Sequence, residues 1–265
     1  VVTKSTAEET SRLDAEYYHS KYISTLDYLS KYPATKMIRE VGRVLRGKNP
    51  KKYTNTGIPV IRAIDLRDLT NTEDFRYASS KEDLFYLKSG DVLISSIGEG
   101  SIGKVQVYKG NQQCATVSEV SVVRASKYNP YALGVFLQTR FGYSQLERRI
   151  TGSTGQLHLY PRDIGTIIIP RFPESFQKEI EGLATRSTQE LKNSKLFYLQ
   201  AEQMLLAELG LDKLDLSQPN YYNVPLRQAQ KVNRIDAEHF QPKYEHLLQH
   251  ITKKGNADCL GNLVT

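Results

Sequence analysis

An eleven-residue phrase occurs twice in this chain: residues 12–22 read RLDAEYYHSKY and residues 234–244 read RIDAEHFQPKY. Six positions are identical, Leu13/Ile235 and Tyr18/Phe240 are conservative, and the copies lie 222 residues apart. That spacing is far longer than the roughly 20 to 50 residues of a solenoid period. It predicts one large unit that begins at Arg12 and a second that begins again at Arg234. Only 31 residues follow Arg234, so the second unit is expected to be cut short or completed from outside the chain. An initial Val in place of Met points to the same expectation of a fragment.

The length of 265 residues allows one large or two modest domains, and 39% hydrophobic residues is enough for a buried core. No stretch approaches the roughly 18 to 20 consecutive apolar residues of a membrane span, and residues 1–10 lack the apolar centre of a signal peptide. A cytoplasmic location is the resulting expectation. Cys114 and Cys259 have no metal-ligand spacing and the five histidines are scattered, so a structural zinc or a disulfide framework has no support. Both cysteines read as reduced thiols.

The net charge of +7 is concentrated in one block. Residues 34–172 hold 21 Lys plus Arg against 12 Asp plus Glu, whereas residues 173–209 hold 4 against 6. Within the block, Lys36, Arg39, Arg43, Arg46, Lys48, Lys51 and Lys52 face the single acid Glu40. Such a cluster neutralises phosphates and releases counterions, the footprint of nucleic-acid binding, although a solvated basic face has the same composition.

Residues 13–29 have helical spacing at Leu13, Tyr17, Ile23, Leu26 and Leu29, closed by Pro33. The runs GIPVIRAIDL, GDVLISSIG, GKVQVYKG and TVSEVSVVRA between residues 57 and 125 read as strands of a mostly antiparallel or mixed sheet. Residues 130–146 have helical spacing weakened by Gly134 and Gly142, and the run 165–170 (GTIIIP) closes the block. From residue 176 to 209 the period changes. Ile180, Ala184, Ser187, Leu191, Ser194, Tyr198, Ala201 and Leu205 step by four and three, the seam of a helix that needs a mate. The mate is a helix of a second repeat, a helix of another subunit or the chain's own block. Residues 210–233, with Pro219 and Pro225, read as an extended linker.

Catalytic constellations find little support. Residues 98–103 (GEGSIG) match G-x-G-x-x-G, but a strand rather than a helix follows, so the segment is expected to be a glycine-rich hairpin connection and not a dinucleotide site. There is no P-loop, no nucleophile elbow and no nuclease carboxylate cluster; the acid-x-Lys triplet Glu190-Leu191-Lys192 lies in the helical seam segment. The pairs Asp14/Glu16 and Asp236/Glu238 point to different faces of a helix and are expected to cap it or form salt bridges. The loop TGSTGQLH at residues 151–158 follows Arg148 and Arg149. Its hydroxyls and backbone amides suit phosphates, and Gln156 suits bidentate pairing with adenine, though an ordinary capped turn has the same residues.

Several phrases, in order, carry a family resemblance: residues 57–62 (GIPVIR) leading to Asp65-Leu66, residues 88–95 (KSGDVLIS), residues 100–104 (GSIGK), residues 152–154 (GST), residues 168–170 (IIP) and the helix from Phe176-Gln177. Over most of residues 12–209 the chain resembles the specificity (S) subunit of type I restriction-modification systems. The family's Glu-Gln pair at the helix start is Phe176-Gln177 here, a slight departure. The resemblance implies a non-catalytic DNA-reading protein with two target recognition domains separated by long helices. Each domain would read half of a split site, and the helices would space them and dock methyltransferase (M) subunits. S-adenosylmethionine, ATP and Mg would then belong to partner subunits, with a restriction (R) subunit adding cleavage.

The expected fold is mixed α/β (α+β), a strand-rich globular recognition domain followed by a long spacer helix. The expected organisation is a helical lead-in over residues 1–33, the DNA-binding domain over 34–172, the spacer helix over 173–209, a linker over 210–233 and the start of an incomplete second unit over 234–265. Lys48, Lys51, Lys52, Arg62, Lys104, Arg148 and Arg149 are candidates for phosphate or base contacts, with Ser153, Thr154, Gln156 and His158 for groove contacts. Two other readings stay open: the recognition segment of a single-chain restriction and methylation enzyme, and an interaction protein that associates, with itself included, through its helix and has no DNA specificity.

Overall fold

The structure, a computed structural model, describes residues 12–32, 34–70, 74–98, 100–110, 112–152, 157–217, 219–255, 258 and 260–263. It is a mixed α/β chain that divides into two compact units, Val1–Glu190 and Leu191–Thr265.

The first unit is built on a four-stranded antiparallel sheet with strand order β2-β9-β6-β7, formed by β2 (Gly42–Arg46), β9 (Val120–Ala125), β6 (Val92–Ser95) and β7 (Val105–Val107). Every residue of β6 is buried, so both of its faces must be covered. The period of two along a strand then sorts its side chains into two cores. Val92 and Ile94, with Val105 and Val123, face a helical layer, whereas Leu93, with Val120 and Val122, faces a second sheet.

That second sheet has the order β3-β5-β4-β8, from β3 (Tyr53–Thr54), β5 (Arg76–Ala78), β4 (Ile58–Ile61) and β8 (Ala115–Thr116), and only its β4–β8 pair is parallel. A two-stranded ribbon of β1 (Thr35–Met37) and β10 (Ile168–Pro170) ties the start of the block to its end. The strand-like runs of the sequence thus fall in two sheets. The segment GRVLR at residues 42–46, part of the basic cluster, is a strand as well: it exposes Arg43 and Arg46 and half-buries Val44 and Leu45.

The helical layer comprises α1 (Ser20–Ser30), α2 (Ile38–Val41), α3 (Pro130–Gln138), α4 (Arg140–Arg148) and α5 (Pro161–Ile164). Two expected helices are broken. Residues 13–29 begin with a 3-10 turn (Glu16–Tyr18), and extended backbone at His19, ψ 140°, starts α1 afresh. Residues 130–146 bend at Thr139, ψ 161°, whose hydroxyl accepts from the Gly142 amide. Gly142 is needed at this corner, because a Cβ there would lie 2.3 Å from the Phe136 carbonyl. The glycine that weakened the helical reading marks the close approach of α3 and α4.

The repeated phrase forms the same local motif in both copies. Arg12 grips Asp14 with Nε and Nη2, at 2.5 and 2.9 Å, and Asp14 accepts the Tyr17 amide at 3.0 Å. Arg234 grips Asp236 at 2.8 and 3.0 Å, and Asp236 accepts the His239 amide at 3.1 Å. The aspartates therefore cap 3-10 turns, as the sequence suggested. The hydrogen bonds from their arginine partners hold both carboxyls below the usual aspartate range. In the first copy the Arg12 and Arg148 guanidiniums lie 4.7 and 3.9 Å from the Tyr17 ring centre, and Lys21 pairs with Glu147 at 3.0 Å. These contacts seat the start of the unit on α4.

The helix α6 (Glu174–Leu209) crosses the division between the units. In the first unit Gln177 is its buried residue, accepting the Asn129 amide at 2.9 Å and donating to the Phe172 carbonyl at 2.7 Å. Ile180 and Ala184 of the predicted seam are half-buried, whereas Ser187, Leu191, Ser194, Tyr198, Ala201 and Leu205 are exposed. The second unit continues with α7 (Leu226–Val232), α8 (Pro242–Lys254) and α9 (Leu260–Leu263). Residues 210–233, expected as an extended linker, thus contain the two-turn helix α7, which starts directly after Pro225 and ends at Asn233 in the left-handed region (φ 52°).

At the end of β9 that leads to α3, the core is held by an ion pair. Asp91, 1% exposed, accepts two bonds from Arg124 at 2.8 and 2.7 Å and the Lys88 amide at 2.8 Å. Removing one partner of such a pair leaves a largely desolvated charge. Asp91→Ala is expected to lower unfolding free energy by about 3 kcal/mol in urea titrations. A loss under about 0.5 kcal/mol, within the range of ordinary surface substitutions, would show that the pair is not a structural support.

Candidate nucleic-acid interface

Strand register gathers the basic loops at one end of the central sheet. Arg46 at the end of β2 pairs with Ser121, Ser95 at the end of β6 pairs with Val120, and Ile94 pairs with Val105 at the start of β7. Because neighbouring strands are antiparallel, the exit of β2, the start of β9, the exit of β6 and the start of β7 all lie at that end. The connections emerging there are the loop 47–52, the turn 117–119 and the glycine-rich segment 96–104.

The loop 47–52 is held close to the sheet. The Gly47 amide donates to Val120 O at 3.1 Å and the Lys48 amide to Thr116 O at 3.0 Å. Asn49 Oδ1 accepts from the Ser118 amide at 2.8 Å. Lys48, Lys51 and Lys52 are exposed. The Lys48 ammonium pairs with Asp83 and holds that carboxyl below its usual range, while the Lys51 amide donates to Glu82 at 2.6 Å. One of the three ammoniums is thus neutralised within the chain.

Residues 98–103 join antiparallel strands, as the sequence predicted, and Gly98, Gly100 and Gly103 have φ values of 104°, 74° and 82°. These left-handed conformations explain the glycine spacing without a dinucleotide. On one leg of this connection Ile97 bridges to His158, and His158 also bridges to Thr151 through bonds of 2.9 and 2.8 Å. The base of the loop 151–158 is therefore stitched beside the glycine-rich hairpin. His158 stacks on Tyr160 at 5.8 Å, and the Arg162 guanidinium lies 5.6 Å from the Tyr160 ring. Ser153, Thr154 and Gln156 lie outside the described residues.

On the other leg, half-buried Lys104 faces a cleft lined by Leu66, Arg67, Gln106, Gln138 and Tyr143. Burial, and then the neighbouring Arg67 charge, push the Lys104 ammonium below its usual value. Arg67 escaped the sequence reading. Its signal was spacing: Asp65 and Arg67 sit two apart on the 3-10 turn Ile64–Arg67, where Asp65 is buried and Arg67 exposed.

Three other candidates are occupied by the fold. Arg62 forms two bonds to Asp65, at 3.0 and 2.8 Å, and one to Asp74 O at 3.0 Å. Buried Arg148 donates to Tyr17 O at 2.7 Å. Buried Arg149 bonds Thr166 Oγ1, Gln145 O and Thr166 O, and burial pushes its guanidinium down to about 10, so it remains charged at neutral pH. The structure separates these three from the surface group of Lys51, Lys52, Lys104 and His158, because each spends its donors on backbone or side-chain acceptors of its own unit. Among the described residues, no group of three or more His, Cys, Asp or Glu side chains is placed to hold a metal ion. Cys114 is a buried free thiol, and Cys259 lies outside the described residues. No described helix is long and apolar enough to cross a membrane.

No protein-family profile matches the chain, and no curated protein matches it. Similar solved structures include the HsdS subunit from Thermoanaerobacter tengcongensis, with 20% identity, a TM-score of 0.43, and coverage of 72% of this chain and 48% of that one. The type I restriction-modification system S subunit from M. genitalium is 12% identical, with a TM-score of 0.39 and coverage of 68% and 42%. The type IIG restriction endonuclease BpuSI is 11% identical, with a TM-score of 0.43 and coverage of 68% and 29%. The chain thus spans less than half the length of each of these three proteins.

Gly47 tests how the basic loop is positioned. A Cβ at this residue would lie 2.1 Å from Val117 O, so the loop must lift away from the turn 117–119 in Gly47→Ala. The variant is expected to lose about 1 to 3 kcal/mol of stability and amide-exchange protection at Gly47 and Lys48. Wild-type protection at both amides would contradict this account of the loop.

Proposed function

We propose that this chain is a sequence-specific DNA-recognition subunit of a type I restriction-modification system, reading one half of a bipartite target and docking methyltransferase subunits through α6. The observation that carries the reading is the convergence of Lys48, Lys51, Lys52, Lys104 and the base of the loop 151–158 at one end of a doubly covered sheet. A sheet end bearing lysine ammoniums beside a donor-rich loop suits the division of labour in DNA recognition, with phosphates fixing position and loop side chains reading base edges. The family resemblance of the ordered sequence phrases supports the same reading independently.

In this scheme Lys51 and Lys52 contact phosphates, and Ser153, Thr154, Gln156 and His158 enter a groove. The chain itself performs no catalysis. S-adenosylmethionine sits on the M subunits, ATP and Mg on the R subunit, and the complex works in the cytoplasm. Arg62, Arg148 and Arg149 contribute by holding the unit together.

Fluorescence anisotropy with a mixed-sequence duplex across a salt series tests DNA binding. Lys51→Ala/Lys52→Ala is expected to weaken binding to all sequences and to reduce the slope of log K against log salt by about 2, near 0.9 per lost phosphate contact. Arg62→Lys, a change inside the fold, is expected to leave that slope unaltered. A flat, salt-insensitive titration of the wild type would overturn the DNA reading. Selection from a randomised duplex pool addresses specificity: Gln156→Ala is expected to relax one base position at a cost of about 1 to 3 kcal/mol of discrimination. Unchanged preference would remove Gln156 from the reading set.

The exposed stripe on α6 supports the docking half of the proposal. Phe197 is 65% exposed, Tyr198 78%, Met204 73% and Leu205 60%, an apolar surface that a mate must cover. Tyr198→Asp/Leu205→Asp is expected to abolish co-purification of a methyltransferase subunit from the native host while leaving DNA affinity within about twofold, since both positions lie far along the sequence from the basic block. Retained methyltransferase would show that α6 is not the dock.

A further inference from the structure

The cleft beside Lys104 has features the DNA-reading proposal does not explain. It lies between the 3-10 turn Ile64–Arg67 and the start of β7, and its lining combines two cations, Arg67 and Lys104, with the amides of Gln106 and Gln138 and the ring of Tyr143. The fold brings these groups from four separate segments. Gly103 turns the chain into the cleft at φ 82°, and a Cβ there would lie 3.3 Å from the Tyr143 ring, so the glycine lets the ring close one wall. Gln138 is fixed by donating to Val105 O at 2.9 Å, which leaves its carbonyl oxygen and the ring as the neutral wall.

The two cations are neighbours, and no described carboxylate pairs with either. Arg67 weakens the Lys104 ammonium through its own charge, and among the described residues neither forms an ion pair, whereas Lys48, Arg62 and Arg124 of the same unit all do. Like charges brought together in a partly desolvated site destabilise each other, and an anion between them reverses both effects. A guanidinium and an ammonium converging from different elements match the several acceptor oxygens of a tetrahedral phosphoryl group better than a carboxylate's two coplanar ones.

We propose that this cleft is a phosphate-binding subsite, with Arg67 and Lys104 as its ligands and Tyr143 as a flat wall against the adjoining sugar or base. The phosphoryl group belongs either to a nucleic-acid backbone or to a free phosphate compound. The subsite itself rests on its own geometry, and only the nucleic-acid source rests on the DNA reading. Under that reading it adds a fixed phosphate contact beside the glycine-rich hairpin, on the leg opposite the one that carries His158.

The test follows the Lys104 ε-methylene and Tyr143 ring resonances by NMR, first with inorganic phosphate and then with a short mixed-sequence duplex, against sodium chloride of matched ionic strength. Saturable shifts at both residues with phosphate, and a Lys104 titration midpoint that rises when phosphate is bound, are the expected results. Arg67→Gln, an exposed change, is expected to weaken the phosphate response about tenfold, the scale of one charge-assisted hydrogen bond, whereas Lys51→Ala/Lys52→Ala leaves it intact. Shifts with both phosphate and duplex support a nucleic-acid backbone as the source, and shifts with phosphate alone support a free phosphate compound. The latter outcome keeps the subsite while telling against the DNA reading. Shifts that chloride reproduces, shifts that Arg67→Gln does not weaken, or no shift with either ligand would overturn the subsite.

Discussion

Burial of β6 on both faces is the constraint from which the first unit follows. Val92, Leu93, Ile94 and Ser95 are all inaccessible, so one face must find helices and the other a second sheet. Alternation sends Val92 and Ile94 to the helical layer and Leu93 to the sheet layer, and a register shift of one residue would exchange the two sets. With the register so specified, the positions of the strand ends are specified too, and so is the end at which the basic loops emerge. The Asp91–Arg124 pair holds the opposite end of the same strands.

The repeated phrase acquires a physical meaning within this frame. Its Arg–Asp grip and the cap on the amide three residues beyond the aspartate are local, and so both copies form them. What differs is the surroundings. In the first copy Tyr17 lies against Arg148, so the motif is a seat for α4, and beyond the phrase Tyr28 stacks on Phe141 at 5.2 Å. In the second, His239 stands where the first copy has Tyr17, while Ile235 (92% exposed) is as open as Leu13 (89%). The motif is a self-contained capping device.

Much of the architecture was legible, and its failures have identifiable causes. The runs around Val60, Ile94, Val105 and Val122 read as strands because β-branched side chains dominate them and turn residues bound them. The strand at 42–46 was hidden by its charges: Arg43 and Arg46, three residues apart and so on opposite faces of the strand, break the alternation, and within a run of seven cations they read as a patch. The break at Thr139 was masked because apolar spacing continues through it. The same limit applies to the candidate site. Lys51, Lys52, Lys104 and His158 were visible as cations or donors near turns, yet Arg62, Arg148 and Arg149 looked no different. Only their acceptors, up to 131 residues away for Arg148 and Tyr17, separate a structural arginine from a surface one.

Sequence alone determined the local chemistry: the capped turn of each repeat, the strand-forming runs, the glycine hairpin, the long amphipathic helix and the concentration of positive charge in one block. Each depends on neighbours a few residues apart, whose side chains interact whatever the rest of the chain does. Tertiary structure alone decided which charges meet. It paired Lys48 with Asp83 and buried Arg149, and it placed Arg67 and Lys104 at one cleft. Those outcomes depend on the antiparallel register of strands far apart in the chain, and charge interactions that fall steeply with distance and exposure cannot be assigned until that register places the groups together.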